Sequence, residues 1–274
     1  DVVYAAAGDR FDIRAGGILA AIAAGTAGNG LNSLTRVSSL TGISGGQVVL
    51  APGAIVAFYA TATGLGTAPF TLGSGGGTAA DVYFGLAANT VAASTITVGS
   101  GTPWLGISTD RSNRNFLSGT ITANSDFNLQ GLGIPGVAPV VLTMGSTGPM
   151  VINTPNSNVT INILGAVIWN WPATALGSNN KNVAFAVNPG ATFTLNSTNA
   201  LGASAGSTVS LAVQAGGILA LAVPNAINAA ATIQAGGKLN ANLAGGLAGS
   251  GVLTFAPGSI LEIVTQPTGF SGSQ

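Results

Sequence analysis

Seven carboxylates, no histidine and no cysteine set the chemistry open to this chain of 274 residues. The acids are Asp1, Asp9, Asp12, Asp81, Asp110, Asp126 and Glu262. Cutting a polysaccharide takes two carboxyl groups held across one bond. Asp9 and Asp12 are the pair closest in sequence, and their spacing puts them on opposite faces of a strand. Asp12 alternates instead with Arg10 and Arg14, which reads as a solvated strip of charge. Without histidine the commonest general base and metal ligand is missing, and so are the triads built on it. Without cysteine there is no disulfide framework and no thiolate metal site. No acidic run matches the calcium nonapeptide or the EF-hand spacing. Gly45-Gly46 and Gly73–Gly77 lack the Lys-Ser/Thr ending of a phosphate loop and read as turns. The expectation is a protein with no catalytic residue, no metal and no cofactor, and not an enzyme.

Two other groups could recognise a ligand. Asp110-Arg111-Ser112-Asn113-Arg114 has no hydrophobic periodicity and is expected to form an exposed loop. Trp169 and Trp171 stand two apart, so on a strand both face one way, with Ile168 and Asn170 facing the other. An aromatic pair can stack on a sugar ring, which makes Trp169 and Trp171 the ligand-stacking candidates. A core or subunit-contact role is the reading preferred over that one. Asn158-Val159-Thr160 and Asn196-Ser197-Thr198 match the glycosylation acceptor pattern, as expected by chance in a chain this rich in Asn, Ser and Thr.

The elements that would carry these residues follow from a repeated corner. It occurs at Ala15-Gly16-Gly17, Pro52-Gly53-Ala54, Pro189-Gly190-Ala191, Ala215-Gly216-Gly217, Ala235-Gly236-Gly237 and Pro257-Gly258-Ser259. The residues three and five before and after each central glycine are all apolar, as in Phe185, Val187, Phe193 and Leu195 around Gly190. Period-two alternation into and out of a glycine predicts strand, tight turn, strand, with those residues inward. Such a unit buries its apolar face only against another copy, so the pattern predicts a parallel β-solenoid. The last four central glycines are 26, 20 and 22 residues apart. Turns of roughly 20–25 residues fit the short end of solenoid repeats. The interval of 37 residues between Gly16 and Gly53 reads as two short turns, and the 137 from Gly53 to Gly190 leave room for about six more. About a dozen turns rising about 4.8 Å each would make a rod on the order of 60 Å long.

One elongated domain over residues 1–274 is expected, with a less regular, loop-bearing middle at about 66–180. There Ser94–Val98, Gly119–Ala123, Val137–Leu142, Met150–Asn153 and Val159–Trp171 read as strands, and Gly73–Gly77 and Gly131–Gly136 as loops. A β-sandwich or jelly-roll subunit is the alternative fold, since short strands and glycine turns suit it too.

Composition narrows the partners. Only 5% of residues are charged, against about a quarter in ordinary soluble domains, and the net charge is zero. Nothing would neutralise a run of phosphates or hold anionic lipid, so neither nucleic acid nor a membrane surface is expected as a partner. The apolar stretch at Gly16–Gly25 falls far short of a spanning helix, and no membrane insertion is expected. Apolar residues make up 47% of the chain, which argues for order. A surface this poor in charge has little to keep copies apart, so the expected partner is the chain itself, as a homo-polymer. Two residues after the corner glycine, facing outward, stand Ile18, Ile55, Thr192, Ile218, Lys238 and Ile260. Ile18, Ile55, Ile218 and Ile260 are expected to form an apolar stripe for self-association.

Leu247-Ala248-Gly249-Ser250-Gly251-Val252-Leu253-Thr254, followed by Thr268-Gly269-Phe270-Ser271-Gly272, resembles the autotransporter-associated β-strand repeat. That family has a Gly-x-Gly-[TV]-Leu-Thr strand and then an aromatic-Ser/Thr-Gly-Gly corner. The likeness covers the C-terminal end well and the other corners loosely. It departs at Ser273, where the family has a further glycine or threonine nearby. The resemblance implies a right-handed parallel β-helix secreted to a bacterial surface as a stalk or adhesin. Because the sequence starts at Asp1 and not Met, a removed leader is expected. The functional expectation is a structural, self-associating extracellular protein forming a filament or a surface or matrix layer. The alternative is an adhesin-type passenger stalk that binds surface glycans through its middle. Both ends, near Val2-Val3-Tyr4 and after the repeat Gly251 to Val264, are expected to be open sheet edges.

Overall fold

The computed structural model describes residues 10–13, 18–21, 35–37, 47–50, 55–58, 70–72, 81–84, 90–91, 96–98, 104–107, 114–116, 120–131, 141–144, 151–171, 175–223, 227–241 and 251–263. Among them are 26 strands and no helix. The strands form three parallel sheets. Sheet A holds β1 (Arg10–Ile13), β4 (Gln47–Leu50), β6 (Phe70–Leu72), β9 (Ile96–Val98), β12 (Thr120–Ala123), β15 (Val151–Asn153) and β18 (Ala175–Leu176). Sheet B holds β2 (Ile18–Ala21), β3 (Thr35–Val37), β5 (Ile55–Phe58), β7 (Asp81–Phe84), β10 (Trp104–Ile107), β13 (Phe127–Gln130), β16 (Val159–Leu164), β19 (Val183–Val187), β21 (Val209–Val213), β23 (Ala230–Ile233) and β25 (Leu253–Phe255). Sheet C holds β8 (Thr90–Val91), β11 (Arg114–Phe116), β14 (Val141–Met144), β17 (Ala166–Trp169), β20 (Thr192–Leu195), β22 (Ile218–Leu221), β24 (Lys238–Asn240) and β26 (Ile260–Glu262). From β6 to β20 the chain visits A, B and C in turn, and strands pair with their counterparts one coil later. This is a parallel β-solenoid.

Each strand is held by its alternation. In β16 the pattern is strict: Val159, Ile161 and Ile163 are buried, while Thr160, Asn162 and Leu164 are half-buried on the outer face. The next rung repeats it, with Val183, Phe185 and Val187 buried at the matching positions. β-branched and aromatic side chains suit such a pleated, one-side-buried surface. The interior is one continuous apolar cluster from Val98 to Ala241, widest at Phe127, Trp169, Trp171, Phe185 and Phe193.

The corners at Gly190, Gly216, Gly236 and Gly258 are one device. Pro or Ala precedes a glycine with φ between 74° and 84°, as a type II turn requires. The turns close through Ala191 N–H to Asn188 O, Gly217 N–H to Gln214 O, Gly237 N–H to Gln234 O and Ser259 N–H to Ala256 O, at 2.8–3.0 Å. They also stack: Gly190 N–H donates to Gly216 O, Gly216 N–H to Gly236 O and Gly236 N–H to Gly258 O. A Cβ on Gly217 would lie 2.7 Å from the carbonyl oxygen of Val187, so the second glycine lets the coils approach.

Some expectations hold and others change. Among the described residues sheet B has eleven strands, β3 at one edge and β25 at the other, close to the expected dozen, for a length of about 48 Å at about 4.8 Å per spacing. The 37 residues between Gly16 and Gly53 include a further pass through sheet B at β3, as two short turns would give, but β3 is out of spatial order. β1 pairs with β4 and β2 with β5, while β3 lies outside β2 and forms the N-terminal edge of sheet B. The six corners are not equivalent. Those at Gly16 and Gly53 lie between sheets A and B, and the last four lie between B and C. A tight turn needs the same residues at any angle of the solenoid. The middle belongs to the same solenoid, with β6 to β18 in the same three sheets. Val159–Trp171 is not one strand, since Gly165, at φ 65°, breaks it into β16 and β17. Gly73–Gly77, residues 132–136 of the second expected loop, the first residues Val2-Val3-Tyr4 and Val264 lie outside the described residues.

Among the described residues sheet A ends at β18. One bridge, Leu176 to Ala203, continues it, and Asn228 Oδ1 then takes the Leu201 N–H at 2.8 Å. The coils after it, β21–β22, β23–β24 and β25–β26, carry two strands each.

Candidate functional site

Ladders of short polar side chains tie neighbouring coils together, and two of their members, Asn128 and Thr154, are buried. Asn162 Nδ2 donates to Asn128 Oδ1 at 2.9 Å, Asn156 Nδ2 to Asn124 Oδ1 at 2.9 Å, and Asn196 Nδ2 to Asn170 Oδ1 at 2.8 Å. Asn158 Oδ1 accepts from Asn182 N–H, and Asn182 Oδ1 from Thr208 N–H. Thr154 and Ser178 exchange bonds through backbone N–H and hydroxyl oxygens at 2.8 and 2.9 Å. Each side chain satisfies a group one coil away, where a hydrogen bond is worth about 1 kcal/mol net. The sequence reading missed these ladders. Their signal was the recurrence of asparagine at the coil length, from 158 to 182 and from 170 to 196.

The described carboxylates are scattered. Asp12 is in β1 of sheet A and Asp81 in β7 of sheet B. Asp126 Oδ1 accepts from Thr160 N–H at 2.7 Å. Glu262 pairs with Lys238 at 3.2 Å on the outer face of sheet C and also accepts from Asn240 Nδ2. Among the described residues no three potential ligands gather round a metal position, and no helix is long and apolar enough to cross a membrane. Asp1, Asp9 and Asp110 lie outside the described residues. So does most of the cluster 110–114, whose last member, Arg114, starts β11 instead of ending a loop.

The two tryptophans are core residues, and the sugar-stacking expectation for Trp169 and Trp171 is corrected. Both are fully buried. Trp169 packs edge-on against Trp171, Phe185 and Phe193, with centroids 5.0, 5.3 and 6.1 Å away, and its Nε1 donates to Ala200 O. Neither ring offers a face to a ligand. Alternation placed them correctly on one face, but that face is the inner one.

The four isoleucines do not make one stripe. Ile18 and Ile55 are directly paired in sheet B, in the first coils. Ile218 and Ile260 lie in sheet C at the other end, separated by Lys238 on the intervening rung. The unequal corners cause the split. Ile218 is half-buried and Ile260 is 47% exposed, while the side chains of Ile18 and Ile55 lie outside the described residues.

What the structure does expose is the last coil. At the corners of Gly190, Gly216 and Gly236 every inward residue is buried. At Gly258 the same register positions are open: Phe255 and Leu261 are each 40% exposed, and Leu253 and Ile263 are half-buried. Val252 and Ile260, at outward positions of the same coil, are exposed as well. β25 and β26 are the C-terminal edge strands of their sheets.

No family model, curated protein or solved structure matches this chain.

Proposed function

We propose that the chain is a structural, self-associating extracellular protein that forms a filament or a surface or matrix layer and does no catalysis. The observation that carries this reading is the open last coil. Its exposed Phe255 and Leu261 occupy the positions that the preceding coils bury by stacking, beside strand edges that no described strand pairs. Natural sheets shield such edges with charge, proline or a covering segment, since open edges recruit further strands. Seven basic and seven acidic residues in the whole chain offer little repulsion between copies. The extracellular and surface placement rests on the resemblance to the autotransporter-associated repeat, whose matching residues 251–254 run into β25.

Negative-stain electron microscopy and light scattering across a concentration series test the reading. Fibres or sheets that form from the purified protein alone are expected. Monomeric rods at every concentration that bind a glycan array would overturn it in favour of the adhesive stalk.

A further inference from the structure

We propose that copies join head to tail by strand addition, β25 of one copy pairing with β3 of the next. This rests on the self-association proposed above and specifies its interface. Among the described residues no strand lies on the outer side of the last coil, so its edge is open in its backbone as well as its side chains. On either side of β25, Val252 O accepts from Ala231 N–H and Ala256 N–H donates to Ile233 O. Backbone groups alternate sides along a parallel strand, so those of Leu253 and Phe255 point to the free edge. In β26, Ile260 N–H donates to Gly237 O and Glu262 O accepts from Ala241 N–H, which turns Leu261 to the free edge. The corner follows suit. Each glycine N–H in the stacked turns points to the next coil, and the last in that column is Gly258. Phe255 and Leu261 thus present an open backbone and an inward-register apolar side chain together.

The preceding coils show what covers such an edge: another coil, added in parallel and in register. Every pairing along sheet B is parallel, from β2–β3 to β23–β25. A copy in the same orientation continues that pattern, whereas two C-terminal ends facing each other would pair antiparallel. Among the described residues, sheet B alone reaches the outermost coil at both ends. Sheet A stops at β18 before the C-terminal end, and sheet C starts at β8, after the first coils. The N-terminal edge of sheet B is β3, three residues long like β25 and parallel to its neighbour. The one charge of β26, Glu262, is already paired with Lys238 on the outer face. A heterologous contact of this kind does not close and grows into a filament.

Two substitutions test it, each on the full chain. Phe255→Pro removes a free-edge N–H and no bond inside the chain, and Phe255→Lys puts a charge on that edge. Both should fold, with unchanged far-ultraviolet circular dichroism, and both should raise the critical concentration for assembly by about tenfold or more. Folded Phe255→Lys keeps its N-terminal edge. Added to wild type at substoichiometric amounts, it should cap growing filaments and shorten them. Filaments of normal length from either folded variant would overturn the head-to-tail inference and leave self-association standing. Wild-type protein that stops at dimers would overturn it in favour of a two-fold end contact. If the full chain stays monomeric but a chain ending at Ile263 assembles, residues 264–274 cover the coil and the inference falls. Wild type that never assembles in either form would overturn both proposals.

Discussion

The coils between Thr120 and Leu201 have three sides, and those between Val209 and Glu262 have two. The wide coils enclose Phe127, Trp169, Trp171, Phe185 and Phe193, the largest fully buried side chains. The narrow coils are filled by Leu211, Val213, Leu219, Leu221, Ala231, Ile233, Leu239 and Ala241. Paired positions in sheet B are 24 and 26 residues apart across β16, β19 and β21 and fall to 20 and 22 across β23 and β25. Losing one side shrinks the cross-section, and interiors stay close-packed, so the side chains must shrink with it. Sheets B and C continue across the change. Register is therefore kept while the volume tapers toward the end that is left open.

The taper can be broken from the wide side first. Trp169→Ala removes the ring that links Trp171, Phe185 and Phe193 and the bond to Ala200 O. It should cost about 3–5 kcal/mol, read by denaturant unfolding. Gly165→Ala comes next. Its Cβ would overlap the carbonyl oxygen of Gly131 at φ 65°, so the wide coil cannot take it without moving backbone. Gly190→Ala, with nothing within 4 Å of the added Cβ, should cost only the left-handed backbone penalty of about 1–2 kcal/mol. Equal losses for the two glycines would show that crowding at the wide corner is not what selects glycine. In the narrow coils the strain runs the other way. Ile233→Trp should overpack the core by about 1–3 kcal/mol, because aliphatic side chains fill that coil where rings fill the wide one. The smallest effect is at the surface: Lys238→Ala breaks the half-exposed pair with Glu262 and should change stability by about 0–1 kcal/mol.

The same comparison explains what was legible in the sequence. Alternation around Gly190, Gly216 and Gly236 placed all of Phe185, Val187, Phe193, Leu195, Leu211, Val213, Leu219, Leu221, Ala231, Ile233, Leu239 and Ala241 inside, and all are buried. Two-strand coils spend most of their residues on a strand, a type II turn and a strand, so the pattern repeats at short, even intervals. Three-strand coils hide theirs. The third strand is as short as Ala175–Leu176, too brief to alternate, and neighbouring coils are tied by Asn128–Asn162 and Thr154–Ser178 and not by apolar periodicity alone. Alternation also states which way a side chain faces and not whether anything lies beyond it. That is why Phe255 and Leu261 read as core and stand exposed, and why Trp169 and Trp171 read as ligand candidates and stand in the core. Corner chemistry likewise marks a turn without saying which sheets it joins, so Ile18 and Ile218 shared a pattern and not a surface.

The central claim is that the last coil is an interface awaiting a second copy. Amide hydrogen exchange resolved over residues 251–263 at two protein concentrations tests it most directly. The amides of Ala256 and Ile260, bonded within the chain, should be protected at both. Those of Leu253, Phe255 and Leu261 should exchange fast in dilute protein and become protected as assembly proceeds. Free-edge amides that exchange equally fast in dispersed and assembled protein would contradict the account.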